Sequence, residues 1–437
     1  MIKQTQWKKR LAIALTGGFI VLNTAAVLAA PMELSLDDSI ALALMNNPII
    51  KIANADTESA NWGITAAKGA KLPSVSLSHS DKRSDSPVSY GNPVGGVTDN
   101  FSNNVSLSLP IYSGGGIEAQ IEQAKLNFKI NEVGMDKSRQ QVKLDATTGY
   151  FSILGAQNSL KVSQESVGMM EDHLKNVQAQ YGVGVVAKSD VLRSQVELAN
   201  YQQKQIIAQN GYDLAVSKFN NTLGLPLDTE VKLKDELKTD TYALTLDDSV
   251  KYAMANRPDV AQADYKIDIA KQGIKVAESG KLPKVNFSAN QGWSDATFPG
   301  TKDQGWSIGL MSTWTPFDSG VTNAKIKQSE ASLTKIKLEA QQAKDGYQLE
   351  VRQYYLSMNE ANKRIGTSQV AVDNAQEDYK IAEVRYSAGV GTNTDVIDTQ
   401  VALTTAKNNY IQAMYDYNTS KANLGKAMGI AVSGNSK

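Results

Sequence analysis

The 437-residue sequence has no cysteine, only two histidines and no net charge. Without cysteine it can build neither a disulfide framework nor a thiolate metal site, and it cannot be anchored through a lipidated N-terminal cysteine. His79 and His173 leave little for metal or acid–base chemistry. With 45 basic and 45 acidic residues there is no basic field for nucleic acid and no charged tail. Past the N-terminus no run of about 18 apolar residues occurs, so the mature chain is expected to carry no transmembrane helix. A phosphate-binding Gly-Lys-Ser/Thr loop and a His-Glu-x-x-His motif are also missing. One string, Gly305-Trp-Ser307-Ile-Gly309, fits the nucleophile-elbow pattern. That chemistry needs a strand–turn–helix context and a later histidine. Here the serine sits in an alternating segment and both histidines precede it. The expectation is no catalytic residue, no metal and no cofactor: not an enzyme.

What is present starts with residues 1–29, which read as a secretory signal. Lys3, Lys8, Lys9 and Arg10 precede an apolar stretch from Leu11 to about Leu28, and Val27-Leu28-Ala29 places small residues at the cleavage positions. Cleavage is expected after Ala29, because cleavage after Ala30 would put Pro31 at the scissile bond. An uncleaved anchor is the alternative reading. Removal leaves 41 basic against 45 acidic residues, a net charge of −4 on an exported chain.

An internal repeat organises the rest. Leu34-Ser-Leu-Asp-Asp-Ser-Ile returns as Leu244-Thr-Leu-Asp-Asp-Ser-Val, and Asn46, Pro48 and Leu72-Pro73 return as Asn256, Pro258 and Leu282-Pro283. Pro110-Ile-Tyr-Ser-Gly114 matches Pro316-Phe-Asp-Ser-Gly320; Tyr181, Gly184, Asp190 and Gln195 match Tyr386, Gly389, Asp395 and Gln400. The first repeat is placed at 30–225, a charged linker at 226–242, the second repeat at 243–430 and a short tail at 431–437. Each repeat reads as a short helix, a helix of about 23 residues ending at Leu-Pro, and two alternating segments. Strands are expected at about 74–82 and 104–109, then 284–293 and 306–315, with the alternation of transmembrane β-strands. Uninterrupted helical stretches follow from Ile117 to about Tyr181 and from Val321 to Tyr386, each roughly 100 Å long at 1.5 Å per residue. Their seams step by three and four, as in coiled coils, but are only half apolar. A glycine-containing turn and a return helix of about 33 residues close each repeat. Four strands cannot close a barrel, and an open edge in lipid leaves backbone groups unsatisfied. Two chains would give a plugged eight-stranded barrel and three a twelve-stranded one with an opening.

The duplicated order, the Leu-Pro before each first strand, the Pro-x-x-Ser-Gly after each second strand and the two tip turns, Tyr181–Leu192 and Tyr386–Asp398, together resemble the TolC family of outer-membrane efflux proteins over almost the whole mature chain. The resemblance implies a mixed α and β membrane protein. Four transmembrane strands per chain would form a 12-stranded barrel in a homotrimer, and long periplasmic helices an α-barrel. It implies an equatorial belt near the linker, and docking at the tips to a periplasmic adaptor and an inner-membrane transporter. The function expected is a passive exit duct for efflux or type I secretion, located in the outer membrane. A barrel-anchored envelope spacer is the alternative, though no wall-binding module is recognisable. Asp395 and Asp398 are three apart on one helix face. They are either acids at a helix start or, by resemblance, rings at a pore constriction; Arg193 stands where the first repeat would match Asp398. On that account Asp395 is expected to matter more, with Arg193 neutralising Asp398. Tyr386 and Asp190 match family gate contacts, whereas the family arginine after the turn is Gly391 here, which implies a looser gate. Gly182, Val183, Gly184, Val185, Ala388, Gly389 and Val390 are the expected docking residues. Trp293, Trp306, Trp314, Tyr112 and Phe317 are expected to form an interfacial aromatic girdle against outer-membrane lipid.

Overall fold

Ser35 and Thr245 start the two repeats alike. In the computed structural model, which describes residues 32–87, 96–240 and 242–432, the Ser35 hydroxyl accepts from the Asp38 amide and the Asp38 carboxylate accepts from the Ser35 amide. This capping box opens α1 (Leu36–Asn46). Thr245 accepts from the Asp248 amide and opens α5 (Leu246–Asn256). Proline at the first helical position, where a missing N–H costs nothing, then starts α2 (Pro48–Gly69) and α6 (Pro258–Glu278). The expected signal segment 1–29 and residues 433–437 of the expected tail lie outside the described residues.

The alternating segments form one antiparallel sheet of β2 (Ser74–Ser86), β3 (Gly96–Tyr112), β5 (Lys284–Asp295) and β6 (Asp303–Thr313), in the order β2-β3-β5-β6. Adjacent rungs show its two faces. Val75, Leu107, Ala289 and Ile308 lie opposite one another across all four strands, and the next rung is Ser76, Ser106, Asn290 and Ser307. One face is apolar and the other is hydroxyl and amide. The first hairpin runs further than expected, to Ser86 and from Gly96, because Asp81–Arg83 pair with Asp99–Phe101 after the apolar pattern has stopped. A register shift between Pro110 and Tyr112 sets Tyr112 opposite Val285 and so turns it onto the apolar face. No helix among the described residues is long and apolar enough to cross a membrane.

Glycines in left-handed conformation, Gly115 and Gly320, bend the chain from sheet into the 67-residue helices α3 (Gly116–Gly182) and α7 (Val321–Ser387). The return helices are α4 (Lys188–Leu223) and α8 (Asn393–Ala427). Near the sheet the helices lie side by side as α2, α3, α6, α7, and beyond the midpoint as α4, α3, α8, α7. The short helices thus stack end to end along the long ones. Two further strands, β1 (Met32–Leu34) and β4 (Val231–Leu233), pair in parallel and place part of the 226–242 linker beside the start of the first repeat. The Tyr150 hydroxyl fastens this belt to α3. It donates to the Asp235 carboxylate at 2.8 Å and accepts from the Asp235 amide at 3.1 Å, over a core of Phe219, Ile153, Leu223 and Val231.

The end-to-end junctions are closed differently in the two repeats. The Asn47 side-chain amide donates to Thr222 O at 2.9 Å, tying the start of α2 to the end of α4. At the matching place Arg257, buried, donates to Ala427 O at 3.2 Å and pairs with Asp259 at 3.0 Å and Glu350 at 2.5 Å, while its guanidinium stacks on Tyr347. Lys137 of α3 reaches Asp259 at 2.7 Å. Burial pushes the Asp259 carboxyl up, but hydrogen bonds from Lys137 and Arg257 bring it below the ordinary 3.8. Its stabilisation is therefore present above that value and lost as pH falls through the lowered one. Replacing Arg257 by alanine leaves Asp259 with one partner and should lower stability by about 3 kcal/mol. Thermal unfolding of Arg257→Ala alongside Asn47→Ala, where two neutral hydrogen bonds are lost (to Thr222 O and from the Ile49 amide), should show the larger loss in the arginine variant.

Candidate functional site

The end of the molecule furthest from the sheet is built by two turns of the same kind. After α3, Gly184 at φ 77° donates to Tyr181 O and Val185 donates to Gln180 O; after α7, Gly389 at φ 74° donates to Tyr386 O and Val390 to Arg385 O. Both are Schellman caps, in which glycine supplies the left-handed residue. They leave Val183, Val185 and Val390 exposed, and nothing in the chain lies within 4 Å of a side chain added at Gly182, Gly184 or Gly389. Ala388 ends α7 beside them, also exposed. Gly391 is packed tightly instead: a Cβ there would stand 3.0 Å from the Tyr386 amide nitrogen. An arginine at that position would have to push the turn open.

Asp395 and Asp398 are both exposed at the start of α8, and of the two only Asp395 has a hydrogen-bonded carboxylate among the described residues. The Asp395 carboxylate accepts from the Thr392 amide at 2.9 Å, and the Thr392 hydroxyl accepts from the Asp395 amide at 3.1 Å. These hydrogen bonds with Thr392, backbone first, hold the Asp395 carboxyl below its ordinary 3.8. Arg193 is also exposed, and it forms no ion pair with Asp398 among the described residues. Asp395 is thus engaged by its own cap, while the Asp398 carboxylate makes no hydrogen bond or ion pair among the described residues.

Tyr386 is 4% exposed and its hydroxyl makes no hydrogen bond. The expected link to Asp190 is not formed within the chain; burial, and then the Asp190 charge, push the phenol up from its ordinary value. The Tyr386 ring lies against His173 instead, with centroids 5.1 Å apart. His173 Nε2 is 2.6 Å from Asn393 Oδ1, which also accepts from the Ser194 hydroxyl at 3.1 Å, and Asn393 Nδ2 donates to Asp190 O at 3.2 Å. Sequence reasoning set His173 aside as too little for chemistry. The only available signal was a polar residue on a core position of α3, level with the turn.

At the other end, Trp293 and Trp306 stand near the distal turn of the second hairpin. Trp314, Tyr112 and Phe317 stand at the helix end, all exposed, and the Trp314 indole donates to Lys281 O at 3.1 Å. Eight residues separate Trp306 from Trp314, about 27 Å along a strand, which tilt reduces to the height of an apolar membrane band. Among the described residues the arrangement holds no reacting constellation; it joins a sheet with one polar face to a layer of helices ending in an acidic, glycine-turned tip.

The profile of the family described as Outer membrane efflux protein matches residues 39–225 and 250–430. The chain is 25% identical over 403 residues to outer membrane protein TolC of Escherichia coli strain K12, covering 89% of this chain and 80% of that protein. It is 22% identical over 431 residues to the alkaline protease secretion protein AprF of Pseudomonas aeruginosa, covering 95% and 88%. Its structure superposes on the Campylobacter jejuni CmeC outer membrane channel with a TM-score of 0.78 at 17% identity, covering 90% of this chain and 85% of that one.

The cap geometry makes a local prediction. Asp395→Ala should speed amide hydrogen exchange across residues 392–396, whereas Asp398→Ala should leave it unchanged. Because the folded carboxyl is lowered, the difference should be present above pH 4 and vanish as pH falls through the depressed value.

Proposed function

The chain belongs to the outer membrane efflux protein family, and on that premise we propose that three copies form a passive exit duct through the outer membrane. It serves a tripartite efflux or type I secretion system, with the energy supplied by an inner-membrane transporter. The observation that carries this reading is the position of the open edges. β2 and β6 are the unpaired edges of the sheet; α2 and α4 flank one side of the helical layer and α7 the other. Since α2 leads into β2 and β6 leads into α7, sheet and helices are open on the same two sides. Strand directions alternate, so β6 of one copy meets β2 of the next antiparallel. One rotation then closes both layers.

The helical edges support this. On α7, Leu338, Leu349, Leu356, Val370 and Ile381 are exposed at separations of 11, 7, 14 and 11, a single stripe of a helix. On α4, Leu192, Val196, Ile206 and Leu214 form another. Three chains give 12 strands with serine and asparagine inward. The shared tip then brings three Asp398 carboxylates together, a ring that favours cations, with Asp395 contributing less. Tyr386, Asp190 and Arg193 sit behind this ring as gate residues. The exposed Val183, Val185 and Val390, with Gly182, Gly184, Ala388 and Gly389, form the surface against which a periplasmic adaptor docks. The aromatic residues at the two ends of the sheet set its depth in lipid.

Mass measurement of the detergent-solubilised protein should give three chains; a stable single chain would refute the closure. In planar bilayers Asp398→Ala should reduce cation selectivity more than Asp395→Ala, and the double variant should lose block by di- and trivalent cations. Selectivity unchanged in the double variant would leave the carboxylates as helix-start acids alone. Docking has a size test that spares the turn. Gly182 needs no left-handed conformation, so Gly182→Ala should export normally while Gly182→Trp abolishes export from an intact trimer. Normal export by the tryptophan variant would remove the adaptor from this surface.

A further inference from the structure

The four helices that reach the tip meet at one buried polar group, and its hydrogen bonds fix its protonation. Asn393 of α8 gives its Nδ2 to the Asp190 carbonyl of α4, an oxygen that can only accept. That orients the amide and leaves Oδ1 towards His173 of α3 and the Ser194 hydroxyl of α4. An amide oxygen cannot donate, so His173 Nε2 must carry the proton. The described residues offer Nδ1 no hydrogen-bond acceptor. The ring is 2% exposed, Asn393 is 5% exposed and Ser194 is fully buried, and Tyr386 of α7 closes the fourth side with a hydroxyl that has no partner.

We propose that His173 is a proton-sensitive latch: while neutral it holds Asn393, and with it the first turns of α4 and α8, against α3 and Tyr386 of α7, and on taking a proton it loosens the tip. The second proton has to go to Nδ1, which puts a charge on a ring that is 2% exposed and that no carboxylate hydrogen-bonds among the described residues. The latch can host that charge only by admitting solvent, which means parting the helices. The surrounding charges do not rescue it. Burial holds the imidazole below its ordinary 6.5 and outweighs the Asn393 hydrogen bond and Glu383 on α7, which both favour the charged ring. Asp190 on α4 acts on Tyr386 and uses its main chain, not its carboxylate, to hold Asn393. Asp172 lies next along α3 on the Tyr379 side, while Arg385 and Asp395 act on one another at the rim. A folded value below the unfolded one means that the folded tip stays neutral where the unfolded chain has taken its proton. The stabilisation is complete above pH 6.5 and is lost as pH falls below it.

This inference rests on the exit-duct reading, and the test separates the two. Purified trimers are reconstituted in planar bilayers and their open probability is measured from pH 7.5 to 5.5, above the range in which surface carboxylates titrate. The wild type should open severalfold more at pH 5.5. His173→Gln, which keeps an N–H donor for Asn393 and cannot charge, should be flat. Asn393→Asp places a carboxylate against the ring and should move the midpoint up by about one pH unit or more, a shift that a purely structural histidine would not give. An acid response retained in His173→Gln, or an unmoved midpoint in Asn393→Asp, overturns the latch. If no channels form at any pH, the duct reading fails, and thermal unfolding decides the latch: the wild type should lose more Tm than His173→Gln between pH 7.5 and 5.5, and equal losses overturn it.

Discussion

A strand edge in lipid has no water to satisfy it, and that constraint reaches through the whole molecule. Each open N–H or C=O costs several kcal/mol in hydrocarbon, and β2 and β6 present a row of them. The chain supplies four strands, too few to close, and in the duct proposed above the other copies complete the layer. The helical layer inherits this demand, because β2 continues from α2 and β6 runs into α7. A 67-residue helix has no globular core to wrap around, and its apolar stripe is useful only if a neighbour covers it. Sheet and helices therefore require the same partner at the same edges. This also explains a seam that is only half apolar: each long helix is shared among neighbours on two sides, with solvent on the others.

The architecture was legible because duplication prints everything twice. Ser35 and Thr245, Pro48 and Pro258, and the two tip turns mark boundaries that recur within a residue or two of the observed ones. Strand ends were less legible. Alternation reports which residues face lipid, and β2 and β3 go on pairing through Asp81–Arg83, where there is no lipid pattern to read. The resemblance implied a belt near the linker, but the β1–β4 pairing within it was not legible. Met32-Glu-Leu34 and Val231-Lys-Leu233 are three-residue strands whose pairing depends on a partner about two hundred residues away. The site was legible in part. The tip glycines and the pair of aspartates could be placed, but not that Asp395 would spend its carboxylate on Thr392, nor that His173 would come to rest on Asn393, 220 residues away.

The two repeats share a fold but not a chemistry, and the differences fall at the joints. At the midpoint Asn47 caps its own helix and reaches α4 by one neutral bond, where Arg257 makes buried, multiple ion pairs. At the tip Asp190 and Arg193 of the first repeat stand at the positions of Asp395 and Asp398 in the second, and only α8 opens with a full capping box. The second repeat thus holds its midpoint by more bonds than the first, and its tip by a capping box that α4 lacks.

Stability is graded along the duct in the same sense. Around the equator, Tyr150, Phe219, Ile153 and Leu223 in one repeat and Met358, Tyr417 and Leu424 in the other make apolar clusters. Towards the tip the apolar clusters shrink, whereas buried polar atoms without partners occur along the whole helical layer, at Asn220 and Thr419 near the equator as at Tyr386 near the tip. Each such atom costs about 1–3 kcal/mol against a satisfied one. Regions of low apolar burial are those that open locally while the rest stays folded. A duct that must stay closed to the periplasm and yet open to cargo needs that gradient, with a rigid equator and a tip held by a few polar contacts that can be exchanged.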